Sequence, residues 1–157
     1  MPDLDRLQGL TSGTTAIPCM AGAFQRQLQE LPSTLNGLGL TQQLVLEILA
    51  GHGPLSGGRL FHLLMTEKEP LPFLGDLMFW HVLDDMGRSR MPLYQIQEDK
   101  PWPKKVLAIT ETGRAVLAGD VDYLDLYESG RWVGAIKIRA GNSSPRWDPR
   151  KQAVVTG

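Results

Sequence analysis

Between Leu40 and Ile109 the apolar pattern changes period once, and that change limits the folds open to this chain. Leu40, Leu44, Ile48 and Leu49 recur at helical steps of three and four, and Gly51, His52 and Gly53 follow. Glycine there can take the left-handed conformation that ends many helices. Ser56 stands where it can cap a short helix that turns Leu60, Leu63 and Leu64 inward. After Pro70, Leu71 and Pro72, the stretch from Asp76 to Met86 presents Phe79, Trp80, Leu83 and Met86 as a broad apolar face. Residues 93 to 97 and 106 to 109 are strand-like instead, and the segment between them holds Pro101 and Pro103, which makes it loop and the whole a hairpin. Thr110 then caps a last short helix that stops at Gly119.

Three helices followed by a hairpin is the order of a winged helix-turn-helix module, with the wing at 93 to 109. The fold class expected is therefore α+β: a mainly helical N-terminal part, a winged-helix-like middle, and a small antiparallel sheet toward the C-terminus. In the N-terminal part Ile17, Met20, Phe24, Leu28 and Leu31 form one helical stripe, with Thr15 as its cap, and Pro32 stops it before a loop that runs to Gly39. Gly39 lies three residues before Gln42, which is a capping box without its hydroxyl. Trp132 to Ile138 alternates like a strand, and Trp147 with Ala153 to Val155 supplies further strands across an Asp148-Pro149 turn. These segments divide a single 1–157 domain into N-terminal helices and loop (1–39), a winged-helix-like core (40–119) and C-terminal strands (120–157).

With 157 residues, 42% of them apolar, the chain can bury a core without a disulfide or a structural metal. The single cysteine, Cys19, forms no framework, fits a reducing cytoplasm and is expected as a small core side chain. No run of about 18 apolar residues is present, and the first residues lack the basic start of a signal peptide, so no membrane partner is expected. Charge is uneven: residues 1–86 are net −5 and residues 87–157 net +4. A partner that prefers cations would dock on the second half.

No catalytic constellation emerges. His81, Asp84 and Asp85 share a helix face at i, i+3 and i+4, but they lack a third strong ligand and fit a solvated acidic helix end. Asp120, Asp122, Asp125 and Glu128 have oxygen ligands without the EF-hand register, and the interleaved Val121, Tyr123, Leu124, Leu126 and Tyr127 point to acids outward and apolar groups inward. No serine sits in a Gly-x-Ser-x-Gly elbow, and Gly51 to Gly58 lacks the Lys-Ser/Thr of a phosphate loop. No cofactor, metal or catalytic residue is assigned.

Nucleic-acid binding has one argument on each side. The helix that would enter a major groove, 76 to 86, carries Asp76, Asp84 and Asp85 and no Lys or Arg, so phosphates would be repelled. The hairpin region carries Arg88, Arg90, Lys100, Lys104 and Lys105, with Trp102 at its tip, and these six are the candidate contacts for a nucleic acid or another partner. Phe73, Phe79 and Trp80 are expected in the core, with Gly75 in a special backbone conformation and Asp76 at a favourable helix start. Arg131 with Trp132, and Arg146 with Trp147, are expected as cation–π pairs.

Several of these residues belong to a pattern. Leu31-Pro32-Ser33-Thr34 with Asn36-Gly37-Leu38, Phe73-Leu74-Gly75-Asp76 with Phe79-Trp80, Thr110 to Gly113, Arg131-Trp132-Val133-Gly134 and Arg146-Trp147-Asp148 resemble the C-terminal portion of the bacterial family of the domain of unknown function 1835. The resemblance runs from about Leu4 onward. It implies that Asn36, Gly37, Phe73, Gly75, Asp76, Trp80, Thr110, Gly113, Arg131, Trp132, Gly134 and Trp147 are structural motif residues. It also implies a preceding domain with no counterpart here, so that the chain is a detached C-terminal region. Two departures are Gly39, where members often have Ser, and Ala135, where a second glycine usually follows Gly134.

The function expected is a cytoplasmic, non-catalytic interaction or regulatory module. The alternatives are a DNA-binding winged helix acting through its basic hairpin, and the remnant of an enzyme whose catalytic domain is missing. The expected partner is protein, either the missing domain or a second copy, with weak nucleic-acid binding beside it. Leu4, Leu7, Leu10 or the helix bearing Phe24 would then form an uncovered apolar patch.

Overall fold

The computed structural model describes residues 4–12, 17, 19–97, 99–127, 130–141 and 144–156. It shows an α+β chain that divides into two compact units, residues 41–121 and the two flanking segments 1–40 and 122–157 together.

The 41–121 unit starts with α3 (Leu40–His52), which is buried over most of its circumference: Val45, Leu46, Ile48 and Leu49 are enclosed along with Thr41 and Gln42. Gly53 ends it at φ +77 and donates its N–H to Leu49 O, as a left-handed C-terminal glycine does. A short strand β1 (Leu55–Ser56) leads into α4 (Gly57–Leu63), where the Ser56 hydroxyl accepts from the Arg59 N–H at 3.3 Å. One π-helical turn, Leu64–Lys68, extends it, and Leu60, Leu63 and Leu64 are buried. Helix α5 (Asp76–Gly87) buries Phe79, Leu83 and Met86 at i, i+4 and i+7.

Strands β2 (Tyr94–Ile96) and β3 (Val106–Ile109) form the expected hairpin, and β1 pairs with the far side of β3. The sheet is antiparallel with order β1-β3-β2, in register Leu55 with Leu107 and Tyr94 with Ile109. Helix α6 (Glu111–Ala118) is capped by Thr110, whose hydroxyl accepts from Gly113 N–H at 3.0 Å, and ends at Gly119 with φ +86. Gly113 is required by packing: a Cβ there would come within 3.0 Å of the Leu93 carbonyl oxygen.

The flanking unit corrects the N-terminal expectation. Residues 4–12 form a helix of their own, α1 (Leu4–Ser12), and the second helix, α2 (Met20–Leu28), is shorter than the predicted stripe. The proposed cap Thr15 lies outside the described residues. Cys19 is exposed, at the start of α2, instead of in the core. Leu4 and Leu7 pack, partly buried, on a cluster of Leu28, Leu31, Leu124, Val133, Ile138 and Trp147, so among the described residues the uncovered patch foreseen there is reduced to Leu10.

Residues 132–138 are two strands where one was expected. β4 (Arg131–Val133) and β5 (Ile136–Ile138) pair antiparallel across Gly134-Ala135, with Gly134 at φ +56. The two-residue connection sets Val133 opposite Ile136, so the period-two alternation predicted for one strand breaks at the turn: Val133 and Ile138 are buried, while Trp132 and Lys137 face out. β6 (Arg146–Asp148) and β7 (Ala153–Val155) pair as expected, with the Asp148 carboxylate accepting from the Arg150 and Lys151 N–H groups in the turn.

Candidate functional site

Asn36, Gly37 and Trp147 of the flanking unit close backbone on backbone. Asn36 is buried, its side-chain carbonyl accepts from Leu38 N–H at 3.2 Å, and its main-chain carbonyl accepts from Tyr123 N–H at 2.8 Å. Gly37 has φ +76, and a Cβ on it would collide with the Asp122 carboxylate and the Tyr123 nitrogen. Trp147, only 5% exposed, donates its N–H to Pro32 O and accepts at its carbonyl from Thr34 N–H, both at 2.9 Å. Arg146 pairs with Asp122 and reaches Ser33 O, while Arg131 reaches Glu30 O at 3.2 Å.

These contacts replace the cation–π pairs expected of the two arginines. The cation over Trp132 is Lys137, at 5.9 Å, and Trp132 is 65% exposed. Gly39 also has a reason to lack a side chain: a Cβ would fall 2.8 Å from Glu30 O. Of the aspartates weighed for calcium, Asp122 caps the 3-10 turn Tyr123–Asp125 and binds Arg146, Asp120 and Asp125 are exposed, and Glu128 lies outside the described residues.

The surface of the 41–121 unit is where side chains remain presented. Asp76 is exposed and accepts from Leu77 N–H, as suits the first turn of a helix. Phe73, expected in the core, is 52% exposed. Trp80, also expected there, is half-buried. Gly75 needs no special backbone: its φ is −79, and a Cβ would meet nothing within 4 Å.

Leu77 at 76% and Met78 at 58% exposure join Phe73 and Leu71 in an apolar stretch that the sequence argument passed over. The signal was present in the spacing. Phe79, Leu83 and Met86 fix the inward phase of α5, and Leu77, two residues before Phe79, falls about 200° away on the opposite side. The same phase turns His81 outward.

The six candidate contact residues separate into two groups. Arg90, Lys100 and Lys104 are exposed. Arg88 is exposed too, and forms an ion pair with Asp84 at 2.6 Å. Trp102 does not stand at a free tip: it is half-buried, with its ring centroid 5.4 Å from Trp80 and 5.9 Å from Phe79. Lys105 lies over the Trp80 ring at 5.3 Å.

The hairpin loop is fastened to α4 as well. Gly57 and Gly58 donate their N–H groups to Lys105 O and Pro103 O, each at 2.9 Å, so carbonyl oxygens take the first amides of that helix. A Cβ on Gly57 would fall 2.7 Å from the Trp102 ring. These contacts hold the proline loop in a defined place, and the basic side chains with it.

Between α5 and β2 lies an open cleft of about 570 Å³, walled by Trp80, Asp84, Gly87 and Arg88 on the helix side and by Pro92 and residues 94–96 on the strand side. Its base is stiff, because the Tyr94 hydroxyl donates to Leu83 O at 2.6 Å and leaves no room for a Cβ on Gly87. Among the described residues no group of three or more His, Cys, Asp or Glu is placed to hold a metal ion, and His81, Asp84 and Asp85 are accordingly not gathered into one. No helix among them is long and apolar enough to cross a membrane. No protein-family model, curated protein or solved structure matches the chain.

Proposed function

We propose that the 41–121 unit is a winged-helix-like, non-catalytic interaction module whose partner is a protein, in a cytoplasmic chain that belongs with the family it resembles. The order helix, strand, helix, helix, hairpin, helix, with β1 on the far side of β3, supports the winged-helix assignment. The observation that carries the choice of partner is the exposed side of α5. In a DNA-binding module that side would carry cations and hydrogen-bonding groups for phosphates and base edges.

Here it carries Leu77 and Met78, with Asp76 beside them, and its Arg88 is already paired with Asp84. Fully burying a Leu, Phe or Met side chain is worth about 1.5–3 kcal/mol, so Leu71, Phe73, Leu77 and Met78 hold several kcal/mol that a protein surface would realise and a phosphate backbone would not.

The test is a titration of the full chain with a labelled mixed-sequence duplex, followed by fluorescence anisotropy at low and physiological salt. The expected result is weak, sequence-independent association with a shallow salt slope, because of the six candidate contact residues only Arg90, Lys100 and Lys104 are exposed without an ion pair described above. Tight binding to one duplex sequence at physiological salt would overturn the proposal in favour of a DNA-binding winged helix.

A further inference from the structure

The flanking unit closes on itself except at one face of its β4-β5 hairpin. The register sets Trp132 opposite Lys137, and Val133 and Ile138 take the buried side, so Trp132 and Lys137 stand together on the outer one. Trp132 is 65% exposed, and the Lys137 ammonium lies 5.9 Å from its ring centroid. Arg139 follows the buried Ile138 and is exposed, so the alternation returns it to the outer side, about 7 Å beyond Lys137 along the strand. A Cβ on Gly130 would meet Ile138 O at 3.0 Å and Lys137 Cε at 3.2 Å, and the missing side chain leaves bare backbone against the lysine stem. Positions 130, 132, 137 and 139 hold no acid, and among the described residues no carboxylate pairs with Lys137 or Arg139.

We propose that this face is a stacking platform for single-stranded nucleic acid, with one base on the Trp132 ring and the neighbouring phosphates on Lys137 and Arg139. It goes beyond the interaction reading, which concerns residues 41–121, and can fail without it. Every base offers a π-face, and stacking on an aromatic side chain contributes about 1–3 kcal/mol per base. A base inside a duplex is stacked on its neighbours and cannot reach the ring. Lys137 keeps its charge beside the indole, so ring and cation act on the same nucleotide.

Two plainer roles fall short. A cross-strand Trp–Lys pair contributes about 0.2–1 kcal/mol to a hairpin, which does not call for an indole left mostly in water. A membrane surface suits a Trp flanked by cations, but Trp132 is the one large apolar side chain at these four outer positions, and the turn offers only Gly134 and Ala135. One exposed ring is the footprint of one base.

The experiment titrates the full ¹⁵N-labelled chain with a twelve-nucleotide oligothymidylate, read at the Trp132 indole and at the amides of residues 136–139. Both sets of signals should shift. An abasic strand of the same length should bind these residues at least about fivefold more weakly, and Trp132→Ala should weaken the oligothymidylate by a similar factor at the amides, with Trp132→Phe restoring most of it. Two phosphate contacts on a single strand give a salt slope of about −1.4, a loss of about sevenfold between 50 and 200 mM salt, which Lys137→Gln with Arg139→Gln should flatten.

Equal binding of the abasic strand, an unchanged affinity in Trp132→Ala, or no shift of these signals at millimolar oligonucleotide would overturn the stacking platform. Phosphatidylserine vesicles that move the Trp132 indole where the oligonucleotide does not would overturn it in favour of a membrane contact. None of these results bears on the exposed side of α5.

Discussion

The two units of this chain use their distinctive residues in opposite ways. In the flanking unit, Asn36, Gly37, Asp122, Arg146 and Trp147 stand out in the sequence, and each is consumed in joining segments about 85 to 115 residues apart. In the 41–121 unit the presented residues are plain ones, Leu77 and Met78, lying in a helix whose core phase is ordinary. A memorable motif can thus mark where backbone must close on backbone, and a surface available to a partner can be made of residues with no motif at all. The contrast follows from cost: a buried main-chain group left without a partner costs about 1–3 kcal/mol, which constrains residue choice closely, whereas an exposed leucine is cheap to keep or to lose.

The largest effect should come from the two exposed-versus-buried tryptophans of the flanking unit. Trp147→Ala is expected to cost about 3–5 kcal/mol in urea unfolding, because the ring is 5% exposed and sits in the apolar cluster. Trp132→Ala, at 65% exposure, should cost less than about 1 kcal/mol. Similar losses from both would break the distinction between a closing residue and a surface one.

Next come two glycines, Gly37 and Gly75. Gly37→Ala meets a positive φ and the Asp122 carboxylate, and should destabilise by about 1–3 kcal/mol. Gly75→Ala has open space and an ordinary backbone, and because it stands at the N-cap of α5, where glycine is favoured over alanine, it should cost less than about 1 kcal/mol. Thermal or urea unfolding of the pair separates the cases, and a Gly75→Ala loss as large as that of Gly37→Ala would show that its surroundings are tighter than described.

Smaller still is the cap of α6. Thr110→Ala should cost about 1 kcal/mol by removing the acceptor of the Gly113 N–H, and Thr110→Ser should restore most of it. At the bottom of the scale, Arg88→Ala should change stability by less than about 0.5 kcal/mol, because an exposed i,i+4 pair with Asp84 contributes little. A larger loss would mean that the ion pair supports the wall of the cleft.

Much of the fold was legible where order is local. The 3.6-residue spacing of Leu60, Leu63, Phe79, Leu83 and Met86, the Ser56 and Thr110 caps and the prolines of the hairpin loop place the elements of the 41–121 unit to within a few residues. Helix α1 was missed because its apolar stripe is weak and is completed by contact with α2 and β7, including a Gln8 side chain that accepts from Val154 N–H. Trp102 was assigned to an exposed tip because nothing in its neighbourhood reveals that the loop folds back onto α4 and α5. The arginines of the flanking unit were given to neighbouring tryptophans, while their actual partners are a carboxylate and carbonyl oxygens far away in the chain. Sheet order is in the same class: that β3 is central among the described strands depends on β1 pairing with it, which no local pattern in Leu55–Ser56 announces.

The contrast between a closed flanking unit and a presented 41–121 surface rests on Leu77 and Met78 facing solvent while Leu83 and Met86, on the same helix, do not. Methyl-labelled chain measured with a soluble paramagnetic relaxation agent tests that directly. Strong relaxation of the Leu77 and Met78 methyls, with Leu83 and Met86 spared, is the predicted result. Equal protection of all four would contradict it, because α5 would then be covered on both sides and its apolar stretch would be core.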